Sequence, residues 1–171
     1  MEGGHLILGI DPGSRATGYG LISSRNGGEV ISFIATGVIR TSSQMGFLSR
    51  LKVLYDGIAG IITQFKPDVT AVEEVFVSRN VQSALKLGHA RAAVLMAALN
   101  QGIVVYEYSP LEIKKAVVGY GRAEKSQLQK MVSVILNLRQ IPARDASDAL
   151  AVAICHVHSQ RINRLMEVQR R

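Results

Sequence analysis

The hydrophobic pattern changes period along the chain. Residues 5–11, HLILGID, form a short apolar run closed by Pro12-Gly13, which predicts a strand ending in a turn. Thr17 to Ile22 resumes extended character, Asn26-Gly27-Gly28 signals a hairpin, and Glu29 to Thr41 predicts a third strand. Connections this short leave no room for a crossover, so the three strands are expected as an antiparallel meander. The spacing then turns helical. Phe47, Leu48, Leu51, Leu54, Tyr55, Ile58, Ile61, Ile62 and Phe65 fall at helical spacing, and Pro67 stops the helix.

Val69 to Phe76 predicts a fourth strand, and Asn80 to Asn100 a helix that is apolar nearly all round between Ala92 and Leu99. Such a helix must be covered on two sides, by the sheet and by something else. Ile103 to Tyr108 predicts the fifth strand. Beyond Pro110 come a short helix with Lys114 and Lys115, a Gly119-Tyr120-Gly121 loop and a helix from Glu124 to Leu138. After Pro142 a last helix carries Ala146, Ala149, Leu150, Ala153, Ile154 and Val157 on its inner face. The order gives one α/β domain over residues 1–158. Its five-stranded mixed sheet has an antiparallel first part and a parallel fourth and fifth strand, with flanking helices. The basic stretch 159–171 is expected to fray.

Composition narrows the class. With 171 residues and 47% hydrophobic side chains the chain can bury a full core, which excludes a disordered protein. No apolar run approaches the roughly 20 residues needed to span a bilayer. The start, MEGGHLILGIDPG, has no basic leader region, and the single cysteine, Cys155, permits neither an internal disulfide nor a Cys-based zinc site. A soluble cytoplasmic protein with no membrane partner is expected. Net charge is +7, and the excess is concentrated: residues 73–144 carry ten basic and five acidic side chains. A basic middle third points to a polyanionic partner.

Three acidic positions could carry chemistry. Asp11 ends a buried strand at a glycine-bearing turn that lets a ligand approach, although an isolated Asp-Pro-Gly is more often a simple turn cap. The spacing after Gly13 fits neither a phosphate-binding Walker loop nor a dinucleotide fingerprint. Glu73 and Glu74 stand together in AVEEVF, where strand alternation must send one of them inward. Asp145 and Asp148, three apart, share one face of a helix's first turn, which is also where ordinary N-terminal acids sit.

With the first and fourth strands as neighbours, Asp11, one of the glutamates and the two aspartates would converge. Four carboxylates without a paired imidazole make a hard-oxygen site for Mg²⁺ or Mn²⁺. Two such ions roughly 3.5–4 Å apart would suit phosphodiester cleavage. Phe76, followed closely by Arg79, could wedge into or stack on a base, or could be a core residue. His156 and His158 read as surface helix residues, and Cys155 as a buried small hydrophobe.

The segments ILGIDPGSRATGYG, AVEEVF, SALKLGHARA, VVGYGRAEKSQ and DASDALAVAICH, in this order and spacing, resemble the RuvC family of Holliday junction resolvases from Leu6 to His158. The resemblance implies a ribonuclease H-like fold and a homodimeric, Mg²⁺-dependent endodeoxyribonuclease. Such an enzyme nicks two opposing strands of a four-way DNA junction in recombination and repair. It implies two ions per site, with Mn²⁺ able to substitute, and a branch-migration motor complex of the RuvA and RuvB type as partner. Position by position, it places the catalytic and metal-holding acids on Asp11, Glu73 (rather than Glu74), Asp145 and Asp148. Junction contact falls on Phe76 and DNA binding on Lys114 and Lys125, with Arg79 and Arg122 as further basic contacts. A sugar-kinase or actin-like ATPase needs about twice this length. A non-catalytic nucleic-acid-binding relative would have lost one or more of the four acids.

Overall fold

The computed structural model describes residues 4–75 and 80–169. Three strands come first: β1 (His5–Asp11), β2 (Ala16–Arg25) and β3 (Val30–Arg40). Asn26, Gly27 and Gly28 make one 3₁₀ turn between β2 and β3, with φ of 51°, 66° and 99°, a left-handed path that the Asn-Gly-Gly sequence tolerates. Next are α1 (Phe47–Phe65), β4 (Val69–Glu73), α2 (Val81–Leu99), β5 (Val104–Tyr108), α3 (Pro110–Val118), α4 (Lys125–Ile135) and α5 (Arg144–Gln169). α1 ends where Lys66 turns left-handed and returns its N–H to the Ile62 carbonyl, one residue before Pro67. Among the described residues no helix is long and apolar enough to cross a membrane.

The sheet order is β3-β2-β1-β4-β5. β1, β2 and β3 pair antiparallel, while β4 lies parallel to both β1 and β5. The mixed five-stranded sheet expected from the short early connections is therefore present. Alternation along each strand divides the core in two. Leu8, Ile10, Leu21 and Val72 face α1 and α2, where Ile58, Ile62 and Val94 pack against them. Ile7, Ile22 and Ala71 face α5, α3 and α4, where Leu150, Ile154, Ile113 and Val132 pack.

α5 is the central helix of the second layer and crosses β1 and β2 closely. Gly9 and Gly20 pair across those strands. A Cβ on Gly9 would collide with the Ala149 carbonyl, and one on Gly20 would stand 2.6 Å from Leu150 Cδ2. The small residues Ala149 and Ala153 complete the close contact from the helix side.

Two elements and one side chain differ from the sequence expectation. β4 ends at Glu73 instead of Phe76, because its ladder partner β5 ends at Tyr108 before Pro110 starts α3. α5 continues as helix through the polar stretch after Gln160 to Gln169. His156 is buried, not on the surface: its Nδ1 lies 2.8 Å from the Tyr108 hydroxyl, and burial lowers its pKa to about 4. The second side of α2 stays open. Val81, Leu85, Met96 and Leu99 are 69%, 59%, 47% and 53% exposed, on one stripe that also carries Gly88 and Ala92.

Candidate active site

The site grows from the parallel pairing of β1 and β4. Ile10 pairs with Val72, so the next residues, Asp11 and Glu73, stand side by side at the carboxyl ends of adjacent strands. Alternation sends both toward α5, because Gly9 and Ala71, two residues earlier, face that layer. Glu74 has already left the strand. Its N–H donates to the Tyr108 carbonyl at 2.8 Å, and its side chain lies on the rim of the same cavity.

α5 supplies the opposing wall. A Cβ on Gly18, the ladder partner of Asp11, would collide with the Asp145 carbonyl, so the first turn of α5 rests directly on the strand pair that carries Asp11. That seating brings Asp148 into a cavity of about 360 Å³ with Asp11 and Glu73. Asp145 is half-buried one turn earlier. It adds its charge to Asp11 and Asp148 without lining the cavity wall.

Two cations come from the far side. α3 is fixed by a capping box, Ser109 Oγ accepting from the Glu112 N–H and Glu112 Oε2 accepting from the Ser109 N–H at 2.8 Å. It presents Lys114. Gly119 closes α3 with φ 96°, and a second capping box, Glu124 with Gln127, starts α4 at Lys125. Lys114 and Lys125 both line the cavity, with apolar walls from Ile113, Leu128, Leu87 and Pro12.

The electrostatics are those of crowded, desolvated acids. Burial, then the charges of Glu73, Asp148 and Asp145, push the Asp11 carboxyl up to about 8. Burial raises Glu73, with Lys125 and Lys114 pulling back. Burial also raises Asp148, with Lys125 and Arg144 opposing. Among the described residues no three of the His, Cys, Asp and Glu side chains are gathered tightly enough to hold an ion, although the Asp11 and Glu73 carboxyls share a hydrogen bond. The donor set itself fits a hard divalent cation: oxygen ligands only, partly withdrawn from water, with more negative charge than the two lysines offset.

Of the other sequence candidates, Arg122 is exposed on the connection between α3 and α4, away from the cavity lining. Phe76 and Arg79 lie outside the described residues. Sequence reasoning missed the strand glycines that seat α5. Their signal was Gly18 and Gly20 spaced two apart on a strand, one face of which must then be smooth.

A family model described as "Crossover junction endodeoxyribonuclease RuvC" matches residues 7–156. A RuvC of Citrifermentans bemidjiense is 52% identical over 162 residues, covering 95% of this chain and 98% of that protein. The solved structure of T. thermophilus RuvC in complex with Holliday junction substrate has a TM-score of 0.87 at 33% identity, covering 93% of this chain and 96% of that one. The yeast mitochondrial Holliday junction resolvase Ydc2, at 13% identity and a TM-score of 0.62 over 92% and 82% of the two chains, shares the fold alone. The expected ribonuclease H-like architecture is thus found in sheet order, pairing and neighbours, and the chain belongs to the RuvC family of crossover junction endodeoxyribonucleases.

Proposed function

We propose that this chain resolves four-way DNA junctions by paired, metal-dependent nicks in two opposing strands, in homologous recombination and DNA repair. One observation carries the reading. Asp11 and Glu73 stand side by side on parallel strands and face Asp148 across a cavity that Lys114 and Lys125 also line. The solved relative bound to a Holliday junction supplies the substrate class. With all four acids present, a non-catalytic role is the weaker reading.

In this reading Asp11, Glu73, Asp145 and Asp148 would hold two Mg²⁺ ions, for which Mn²⁺ would substitute. When bound, the ions supply an activated water and charge stabilisation for the leaving oxygen. The chain's own residues do the rest. Lys114 and Lys125 hold the phosphates that flank the cut and offset the acids' repulsion of the DNA backbone. To act as a ligand Asp11 would have to be deprotonated, against the burial and neighbouring charges that raise its carboxyl. The Ile113 and Leu128 walls limit the water that reaches the reacting phosphate. Phe76 contacts the junction centre, with Arg79 and Arg122 on flanking phosphates. Residues 1–158 are the nuclease domain.

The active form is a homodimer. The exposed stripe of α2 has large side chains at its ends and Gly88 and Ala92 between them, a surface that a second copy of the same helix can cover by two-fold pairing. Two dyad-related sites then meet two strands of like polarity on a junction. A motor complex of the RuvA and RuvB type delivers the junction, in the cytoplasm. The test is cleavage of an end-labelled four-way junction and of a linear duplex with Mg²⁺. Symmetric paired nicks in the junction and almost none in the duplex are expected. Equal cutting of both would overturn the reading.

A further inference from the structure

Arg91 reaches the candidate site from the opposite face of the sheet. It projects from α2, and its Nη2 lies 2.6 Å from Glu107 Oε2 on β5. Its Nε donates to the backbone carbonyl of Glu73 at 3.5 Å. Glu107 pairs with Val72 across the β4–β5 ladder, so it faces the α1–α2 layer, as Val72 does. One guanidinium therefore spans the last residue of β4 and its neighbouring strand. Its side chain is only 20% exposed, which strengthens the ion pair relative to one at the open surface.

The position of this contact matters because β4 stops there. After Glu73 one further N–H, that of Glu74, bonds to the Tyr108 carbonyl, and the chain then leaves the sheet. A strand's last peptide can tilt about its axis, and a tilt at Glu73 moves its carboxyl relative to Asp11. We propose that Arg91 is a positioning residue for cleavage: by tying the Glu73 carbonyl to Glu107 from the far face, it fixes where the Glu73 carboxyl stands against Asp11 and Asp148. Arg91 lies behind the sheet and is not among the residues that line the cavity. The proposal rests on the reading of Glu73 as a metal-holding acid.

Arginine is required because the two contacts use different nitrogens of one rigid fork. A lysine can keep the ion pair to Glu107 with its single ammonium but cannot also serve the Glu73 carbonyl. Arg91→Lys therefore separates the α2–β5 ion pair from the positioning contact.

The experiment uses the full chain and compares Arg91→Lys with Glu73→Gln and the unmodified protein. Four quantities are measured: single-turnover cleavage of a saturating labelled junction with Mg²⁺, junction Kd without Mg²⁺, Tm, and the rise in Tm on adding Mg²⁺. Arg91→Lys is expected to keep Tm and junction Kd, to show a smaller Mg²⁺-induced rise in Tm, and to cleave at least about tenfold more slowly, since a misplacement of about 1 Å caused by a distant substitution can cost about 100-fold. A cleavage loss below about threefold overturns the proposal. So does a loss that appears as weaker junction binding or a lower Tm instead of slower cleavage at saturation. If Glu73→Gln cuts normally, the reading of Glu73 itself fails. If Glu73→Gln is inactive while Arg91→Lys is normal, only the positioning role fails.

Discussion

Gly18 lies directly under the backbone carbonyl of Asp145, close enough that a side chain at position 18 would collide with it. Gly18 is also the ladder partner of Asp11. One glycine thus sets the height at which α5, with its two aspartates, rests above the strand that carries the first acid. Gly9 and Gly20 continue the same smooth track beneath Ala149 and Leu150.

Gly18→Ala should therefore harm both fold and site. Overpacking of this kind costs typically about 1–3 kcal/mol, and lifting α5 separates Asp148 from Asp11, so cleavage should fall further than stability alone explains. Gly60→Ala in α1 is the control. Nothing lies near it, and the substitution should be neutral or stabilise by up to about 1 kcal/mol. Denaturant unfolding of both variants, with cleavage measured in parallel, checks this. Equal stability of the two would contradict the close seating of α5.

The crowded acids give a pH signature. In the metal-free fold Asp11 keeps its proton up to about pH 8, whereas the unfolded chain releases it near 3.8. The folded state binds more protons across that window, so stability falls as pH rises through it, by at most about 1.4 kcal/mol per unit. His156 acts in the opposite sense. Its folded pKa of about 4 lies below its ordinary 6.5, so its contribution is full above 6.5 and is lost as pH falls toward 4. Between pH 6.5 and 8 the Asp11 effect governs. Thermal unfolding without metal should show Tm falling over that range, and Asp11→Asn should flatten the profile. Mg²⁺ should raise Tm more at pH 8 than at pH 6.5, since the cation displaces the proton.

Lys125 faces two acids, Glu73 and Asp148, whereas Lys114 is felt by Glu73 alone among the shifted groups. Both Lys→Ala variants should weaken junction binding and flatten its salt dependence by about 0.9 in the log–log slope for each lost phosphate contact. Lys125→Ala should cost more in cleavage. A salt titration of Kd beside cleavage rates decides it: unchanged slopes in both variants would make these lysines solvated surface charges.

The stripe on α2 predicts an association that a single charge breaks. Leu85→Asp places a carboxylate inside the apolar stripe, where the two-fold contact would bury it, and should yield a monomer by sedimentation while leaving Tm of the folded unit nearly unchanged. Paired nicking should become single nicking. An unmodified chain that sediments as a monomer at micromolar concentration would contradict the dimer.

Much of this was legible in the sequence, for identifiable reasons. The meander of β1, β2 and β3 followed from connections too short for a crossover, and α1 from a nine-residue apolar stripe ended by Pro67. The choice between Glu73 and Glu74 stayed open on residue pattern alone, because alternation says that one acid turns inward but not which. The register of Ile10 with Val72 identifies Glu73 as the neighbour of Asp11. His156 misled because the late turns of α5 look polar, yet the Tyr108 hydroxyl across the core gives its ring a partner. The Arg91 contact was invisible, since it joins α2 to strand ends that only the tertiary fold brings together.

If Asp11, Glu73, Asp145 and Asp148 cut the junction while basic side chains hold it, cutting and holding must separate on mutation. Cleavage and binding of one labelled four-way junction are measured for Asp11→Asn, Glu73→Gln, Asp145→Asn and Asp148→Asn, with Glu74→Gln as reference. Each of the four substitutions should abolish cleavage in Mg²⁺ while junction Kd stays equal or tightens, and Glu74→Gln should be mild. Normal cleavage by any of the four, or an inactive Glu74→Gln beside an active Glu73→Gln, would contradict it.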